Sequence, residues 1–168
     1  INTGKANIIG TSGGALVGIN CALLSPERIN RVIADSFEGE YALDIIAETI
    51  DNERENSKSD NNMVRFWKEN HGKDWEAVVD MDTKAIIKHY KNVKNFFPGK
   101  LSELKVPVLL TGSLEDEYAE YISFEENYKK MLEKLPDGKM YLFKKGGHPA
   151  FITAGNEFFQ TAKEFFTK

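Results

Sequence analysis

The chain has 168 residues, 41% hydrophobic and 29% charged, proportions that suit one soluble globular domain with a buried core. A net charge of −4 gives no basic footprint for nucleic acid, the apolar runs are far short of a membrane span, and no signal peptide or lipidation motif is present. The single cysteine, Cys21, excludes an internal disulfide and fits a reducing compartment such as the cytoplasm, while three histidines without ligand spacing give no metal signature and no cofactor motif stands out.

The chain opens on Ile1 rather than Met, a few residues before an apolar run that reads as a buried strand, Ala6-Asn7-Ile8-Ile9. This abrupt start suggests a fragment or a proteolysed product. Residues 13–24 read as an amphipathic helix, on which Cys21 is expected to be a buried structural thiol. Ser25-Pro26-Glu27 is a turn, and residues 31–37 read as a second strand. Residues 40–97 carry helical periodicity without a strand-like run. Within them Asp51 to Asn62 is charge-rich and expected to be exposed and mobile, and Ala77, Val78, Met81, Ile86, Ile87 and Tyr90 mark a further amphipathic helix or pair, ended by Phe96-Phe97-Pro98-Gly99. The third strand is 106–112, with a proline tolerable at its start. A helix from Phe124 to Leu135 closes at Pro136-Asp137-Gly138, the fourth strand is 140–143, and a final helix over 156–166 presents Phe158, Phe159, Ala162, Phe165 and Phe166 on its apolar side.

Strands alternating with helices predict an α/β fold, a mostly parallel sheet of about four strands covered by helices. The helical stretch of about 60 residues is far longer than a usual connection, so it reads as a lid or small subdomain. The domains are thus 1–38 with 99–168 as core and 39–98 as the helical insertion.

Between the first strand and helix lies Gly10-Thr11-Ser12-Gly13-Gly14, a G-x-S-x-G sequence. By chance such a pentapeptide arises in a chain this long about once in twenty, so its context carries the argument. Strand, tight glycine-flanked turn and helix is the setting that presents a serine hydroxyl as a nucleophile. A side chain at Gly10 or Gly14 is expected to collide with strand and helix, and the Gly13 amide is the expected oxyanion-hole donor. A phosphate cradle is the competing reading, but neither G-x-G-x-x-G nor a P-loop ending is present.

A serine nucleophile needs a base, and the base an orienting acid, both following strand C-termini. After the third strand come Glu115 and Asp116; Asp116 is preferred as the acid and Glu115 competes with it. After the fourth comes Gly146-Gly147-His148-Pro149, which makes His148 the candidate base. His71 reads as a helix C-terminal cap and His89 as a surface residue in mid-helix. The aromatic residues Phe66, Trp67, Trp75 and Tyr90 either pack the insertion or line an apolar acyl pocket, packing being favoured.

Through residues 7–14, 107–116 and 146–149 the chain resembles the α/β-hydrolase superfamily, over essentially its whole length but only the C-terminal two-thirds of a typical member. The resemblance implies a truncated α/β-hydrolase fold, with the four strands as the fifth to eighth of an eight-stranded sheet and the insertion as the lid. It implies a serine hydrolase acting on a small acyl substrate through Ser12, Asp116 and His148, with Gly13 in the oxyanion hole. Members usually place the acid three residues after the strand-end glycine, which here is Glu115. The loop that donates the second oxyanion N–H would precede this chain, and the first strand would be an exposed apolar edge, free to pair with a second copy. Acyl transfer, carbon–carbon bond hydrolysis, a non-catalytic binding module and a weakly active fragment stand as alternatives, whereas a serine at the turn argues against the aspartate-nucleophile chemistries of that superfamily.

Overall fold

The computed structural model describes residues 4–97 and 99–167; the Pro98 of the expected Phe96–Gly99 terminator lies outside them. Two compact units form, one from the chain up to Glu40 together with the stretch from Phe96 onward, the other from Tyr41–Asn95.

The first unit is an α/β fold built on four strands, β1 (Ala6–Thr11), β2 (Ile29–Asp35), β3 (Val108–Ser113) and β4 (Gly138–Phe143), all parallel in the order β1-β2-β3-β4. The helices are α1 (Gly13–Leu24), α5 (Phe124–Leu132), α6 (Ala150–Thr153) and α7 (Gly155–Thr167), with short 3-10 turns at Leu101–Glu103 and Glu117–Glu120. Successive strand residues face opposite sides. Val32 lies toward α1, where Gly18 leaves room for the Ile8 and Val32 side chains. Its neighbour Ile33 joins Leu109 and Phe143 in a cluster with Ala150, Phe158, Ala162 and Phe165 of α6 and α7. Both faces of the sheet are therefore covered, as a parallel sheet requires. Phe159, expected on the apolar side of α7, is exposed instead, because the buried stripe runs through Phe158, Ala162 and Phe165.

Two expectations for the first turn of the chain are corrected. β1 is mostly exposed rather than buried, since among the described residues it is an edge strand paired only with β2; Ile9 is 48% exposed. Cys21 is exposed, because α1 buries Ala15, Gly18, Ile19 and Ala22 and Cys21 falls outside that stripe. Val17 and Leu24 join it on the open side at 62% and 72% exposure.

The second unit contains α2 (Asp44–Ser57), α3 (Asn61–His71), a 3-10 turn at Gly72–Asp74 and α4 (Trp75–Asn92). Its ends meet in an antiparallel bridge between Tyr41 and Asn95, reinforced by Ala42 N–H donating to the Lys94 carbonyl at 2.8 Å and by the Lys94–Asp44 ion pair at 2.6 Å. The Asp51 to Asn62 stretch is exposed or half-buried as expected, and most of it is helix. Lys58 explains part of this: it bridges Glu55 at 2.6 Å and Asp80 of α4 at 2.7 Å, and these carboxylates raise its ammonium pKa above the usual lysine range. α4 is one helix that buries Val79, Thr83 and Tyr90, leaving Ala77 and Met81 exposed, so its apolar stripe is rotated from the expected one. His71 ends α3 beside Gly72, as a C-terminal cap would, while His89 is half-buried rather than on the surface. Trp67 is buried and stacks on Trp75 at 5.6 Å, Tyr90 is buried, and Phe66 is exposed.

The glycines of the turn differ in their demands. A Cβ on Gly10 would stand 2.2 Å from the Gly14 carbonyl oxygen, a backbone collision, whereas one on Gly14 would meet open space, contrary to expectation. Gly10→Ala should therefore lower the unfolding free energy by about 1–3 kcal/mol, measured by urea denaturation. Gly14→Ala should be neutral or stabilising by up to about 1 kcal/mol, since alanine favours the helix. Equal losses for the two variants would contradict this account of the turn.

Candidate active site

Ser12 follows β1 and caps α1. Its backbone is strained, at φ 52° and ψ −126°, a region sparsely populated by residues other than glycine. Two bonds hold it there: its N–H donates to the Asp35 carbonyl at 2.8 Å, and its carbonyl accepts from Ala15 N–H at 2.9 Å. Its side chain makes no capping bond to α1, and among the described residues no hydrogen bond to the hydroxyl is formed. Gly13 opens α1, where amides have no intrahelical acceptor and the helix dipole favours negative charge.

The acid loop follows β3. Asp116 is buried, its carboxylate fully so, and it starts the 3-10 turn by accepting from Tyr118 N–H through Oδ1 at 2.9 Å. Its other oxygen, Oδ2, lies 2.9 Å from Nδ1 of His148. Glu115, the competing acid, is exposed on the outside of the loop, its own N–H donating to Ser113 Oγ at 3.2 Å. Ser113 Oγ also bonds the Gly146 carbonyl, tying this loop to the one after β4.

His148 is held on three sides by three consecutive residues. Asp116 takes the ring at Nδ1, Glu117 Oε2 accepts from the His148 N–H at 2.5 Å, and the Tyr118 ring meets the imidazole edge-on at 5.0 Å. An ionised carboxylate at Nδ1 selects the tautomer with the proton on Nδ1, leaving the Nε2 lone pair free to accept. A Cβ on Gly147 would reach 2.5 Å from Glu117 Oε1, so the glycine makes room for that carboxylate. The imidazole side chain is 21% exposed. The sheet thus brings Asp116 and His148 into contact, and Ser12 shares their end of the sheet without a hydrogen bond to either. Glu117 was not singled out by sequence, where it is one of several acidic residues in a loop.

Asp35, also unremarked in the sequence, ends β2 with no solvent exposure. Its Oδ1 accepts from Thr111 Oγ1 at 2.7 Å; Oδ2 accepts from Thr11 Oγ1 at 3.2 Å and from Phe151 N–H at 3.0 Å. Next to it Ser36, at φ 51°, accepts from Ala150 N–H at 2.9 Å. A carboxylate at the end of an apolar strand is the signal that could have marked Asp35, because a buried charge demands donors.

Burial pushes the Asp35 carboxyl above its ordinary value of 3.8, against the lowering effect of bonds from Thr111, Phe151, Thr11 and Ser36. Between 3.8 and that elevated value the native state holds a proton that the unfolded chain has released. Stability from this group is therefore greatest below 3.8 and falls as pH rises through the elevated native value. The stability difference between the protein and Asp35→Asn should move against the aspartate as pH rises through that window, read by urea unfolding across pH. A difference moving the other way would contradict the assigned direction.

No family model matches this chain, and no curated protein matches it by sequence. Solved structures do. A serine hydrolase involved in carbazole degradation, the CarC enzyme, superposes with a TM-score of 0.68 at 20% identity, over 98% of this chain and 64% of that one. NosK from Streptomyces actuosus gives 0.75 at 14% identity, over 97% and 69%. The enol-lactonase from Burkholderia xenovorans gives 0.63 at 16%, over 98% and 66%. The chain spans about two-thirds of the length of these proteins. Four parallel strands flanked by helices, in this order and matched along almost the whole chain, establish that the protein has the α/β-hydrolase fold, truncated relative to these structures.

Proposed function

We propose that the chain carries the catalytic groups of a serine hydrolase acting on a carboxylic ester or related acyl substrate. The observation that carries this reading is the buried Asp116 carboxylate 2.9 Å from Nδ1 of His148, at the sheet end where the strained Ser12 stands. Structures of similar fold support it: besides the serine hydrolase and the enol-lactonase, they include an E-2-(acetamidomethylene)succinate hydrolase and a meta-cleavage product hydrolase.

On this reading Ser12 Oγ attacks the carbonyl carbon as His148 Nε2 takes its proton. Asp116 holds the imidazole in register and stabilises the imidazolium. The Gly13 amide donates to the oxyanion. Collapse of the tetrahedral intermediate breaks the bond to the leaving alkoxide, which receives the proton from His148 and leaves an acyl-Ser12. Water, deprotonated by His148, then releases the carboxylic acid and restores the serine. Residues 39–98 act as the lid of a cytoplasmic enzyme that needs no metal or cofactor.

The second reading is a weakly active or non-catalytic chain that needs a partner strand, and the open edge of β1 with its exposed Ile9 favours it. Gly13 supplies one oxyanion donor, and lacking a second costs about 10²–10³ in turnover. The proposed partner is a second copy of the chain, paired along β1. Light scattering should then report a dimer; a stable monomer contradicts the pairing.

Ser12→Ala should abolish labelling by a fluorophosphonate and lower ester turnover by about 10⁴-fold or more. Asp116→Asn should lower kcat by about 10²–10⁴-fold with the label retained at a slower rate, while Glu115→Gln should stay within about twofold of the parent. Labelling that survives Ser12→Ala, or a larger loss from Glu115 than from Asp116, would overturn the assignment.

A further inference from the structure

We infer that Asp35 is a positioning residue of this site, its one buried carboxylate locking together the turn that carries Ser12, the strand that leads to Asp116 and the segment that follows His148. This rests on the serine-hydrolase reading above and adds to it a fourth residue that never touches substrate.

The register sets up the arrangement. β2 lies between β1 and β3, and parallel pairing aligns Asp35 with Thr11 on one side and with Thr111 on the other. Thr11 immediately precedes Ser12, and Thr111 lies five positions before Asp116. Both threonine hydroxyls donate to the Asp35 carboxylate, at 3.2 and 2.7 Å. The third donor, the Phe151 N–H at 3.0 Å, comes three positions after His148. The strand that ends on Asp35 thus reaches all three arms of the site with one side chain. Its backbone and that of Ser36 repeat the pattern, through Ser12 N–H to the Asp35 carbonyl and Ser36 N–H to the Thr111 carbonyl, each at 2.8 Å.

An ionised carboxylate accepts and cannot donate, so it suits a place where only donors converge. A buried charge is a poor device for stability alone, since apolar residues of similar size fill such a place as well or better. The rest of β2 shows that the alternative was open, because Val32, Ile33 and Ala34 are all apolar and fully buried. What the carboxylate supplies that a leucine cannot is a fixed distance to three separate segments. Catalytic geometry is sensitive at that scale, a misplacement of about 1 Å costing about 10²-fold.

The test follows the phosphonylation of Ser12 by a fluorophosphonate, comparing the protein with Asp35→Asn, Thr11→Val and Thr111→Val. Asparagine keeps the volume but cannot accept from every donor. Asp35→Asn should lower the maximal rate constant about tenfold or more, at full labelling amplitude and with little change in the concentration for half-saturation. A merely structural role would shrink the labelled fraction and leave the rate of the folded molecules unchanged. Each threonine variant should slow the reaction by itself, and neither should slow Asp35→Asn further, since both act through the same carboxylate. If Asp35→Asn fails to fold, Thr111→Val, which removes one donor and keeps the charge, carries the test. A rate within about twofold of the parent in the folded variant, or additive effects, would overturn the inference while leaving Ser12 as the nucleophile. A parent protein that does not label at Ser12 would overturn the underlying reading and this role with it. Independently of reactivity, the Phe151 amide proton should resonate downfield in the parent and move upfield in Asp35→Ala, which leaves it no side-chain acceptor; an unchanged shift would refute the bond on which the inference stands.

Discussion

Four strands that run the same way must finish at the same edge of the sheet, and every polar group of this site owes its place to that constraint. Ser12 follows β1, Asp35 ends β2, Asp116 follows β3 and His148 follows β4. They are dispersed along more than a hundred residues of chain, yet the parallel register delivers them to one end. The loop after β4 leaves the far edge of the sheet and returns across it, which its bonds from Ala150 to Ser36 and from Phe151 to Asp35 secure. Without that return the histidine would remain two strands away from the β1–β2 pair.

Burial then decides which carboxylates matter. The acid loop holds several, and most of them face water, where a charge is solvated and exerts little force on its neighbours. Asp116 and Asp35 are both taken out of solvent in this end of the sheet, and each is met by hydrogen-bond donors. Glu117 adds a third kind of contact, since its exposed carboxylate holds backbone rather than ring. Strain is concentrated in the same region. Ser12 and Ser36 both adopt positive φ at the ends of adjacent strands, each supported by backbone bonds to the neighbouring strand.

Much of this was legible in the sequence, for identifiable reasons. The alternation of short apolar runs with amphipathic stretches yields the parallel sheet, and the glycine-flanked serine and the Gly-Gly-His loop mark two strand ends by their composition. Gly10 needed to be glycine for the reason expected, but Gly14 did not, because the approach of strand to helix falls on the Gly14 carbonyl and not on its Cα. The choice between Glu115 and Asp116 was beyond sequence, since one residue of loop geometry settles which carboxylate turns inward. Cys21 and the stripe of α4 were misjudged because helical spacing names candidate faces without saying which one meets the sheet or a neighbouring helix. Asp35 escaped notice because its partners are two threonines and a main-chain amide, distant in sequence and ordinary in type.

The central claim is that Asp116 orients His148 as a base with its Nε2 lone pair free. It is tested most directly by NMR of the protein labelled with nitrogen-15 in histidine, which reads the tautomer of each neutral ring. The account predicts that His148 carries its proton on Nδ1, and that Asp116→Asn removes this preference. A proton resident on Nε2 of the neutral ring, with Nδ1 bare beside Asp116, would contradict it.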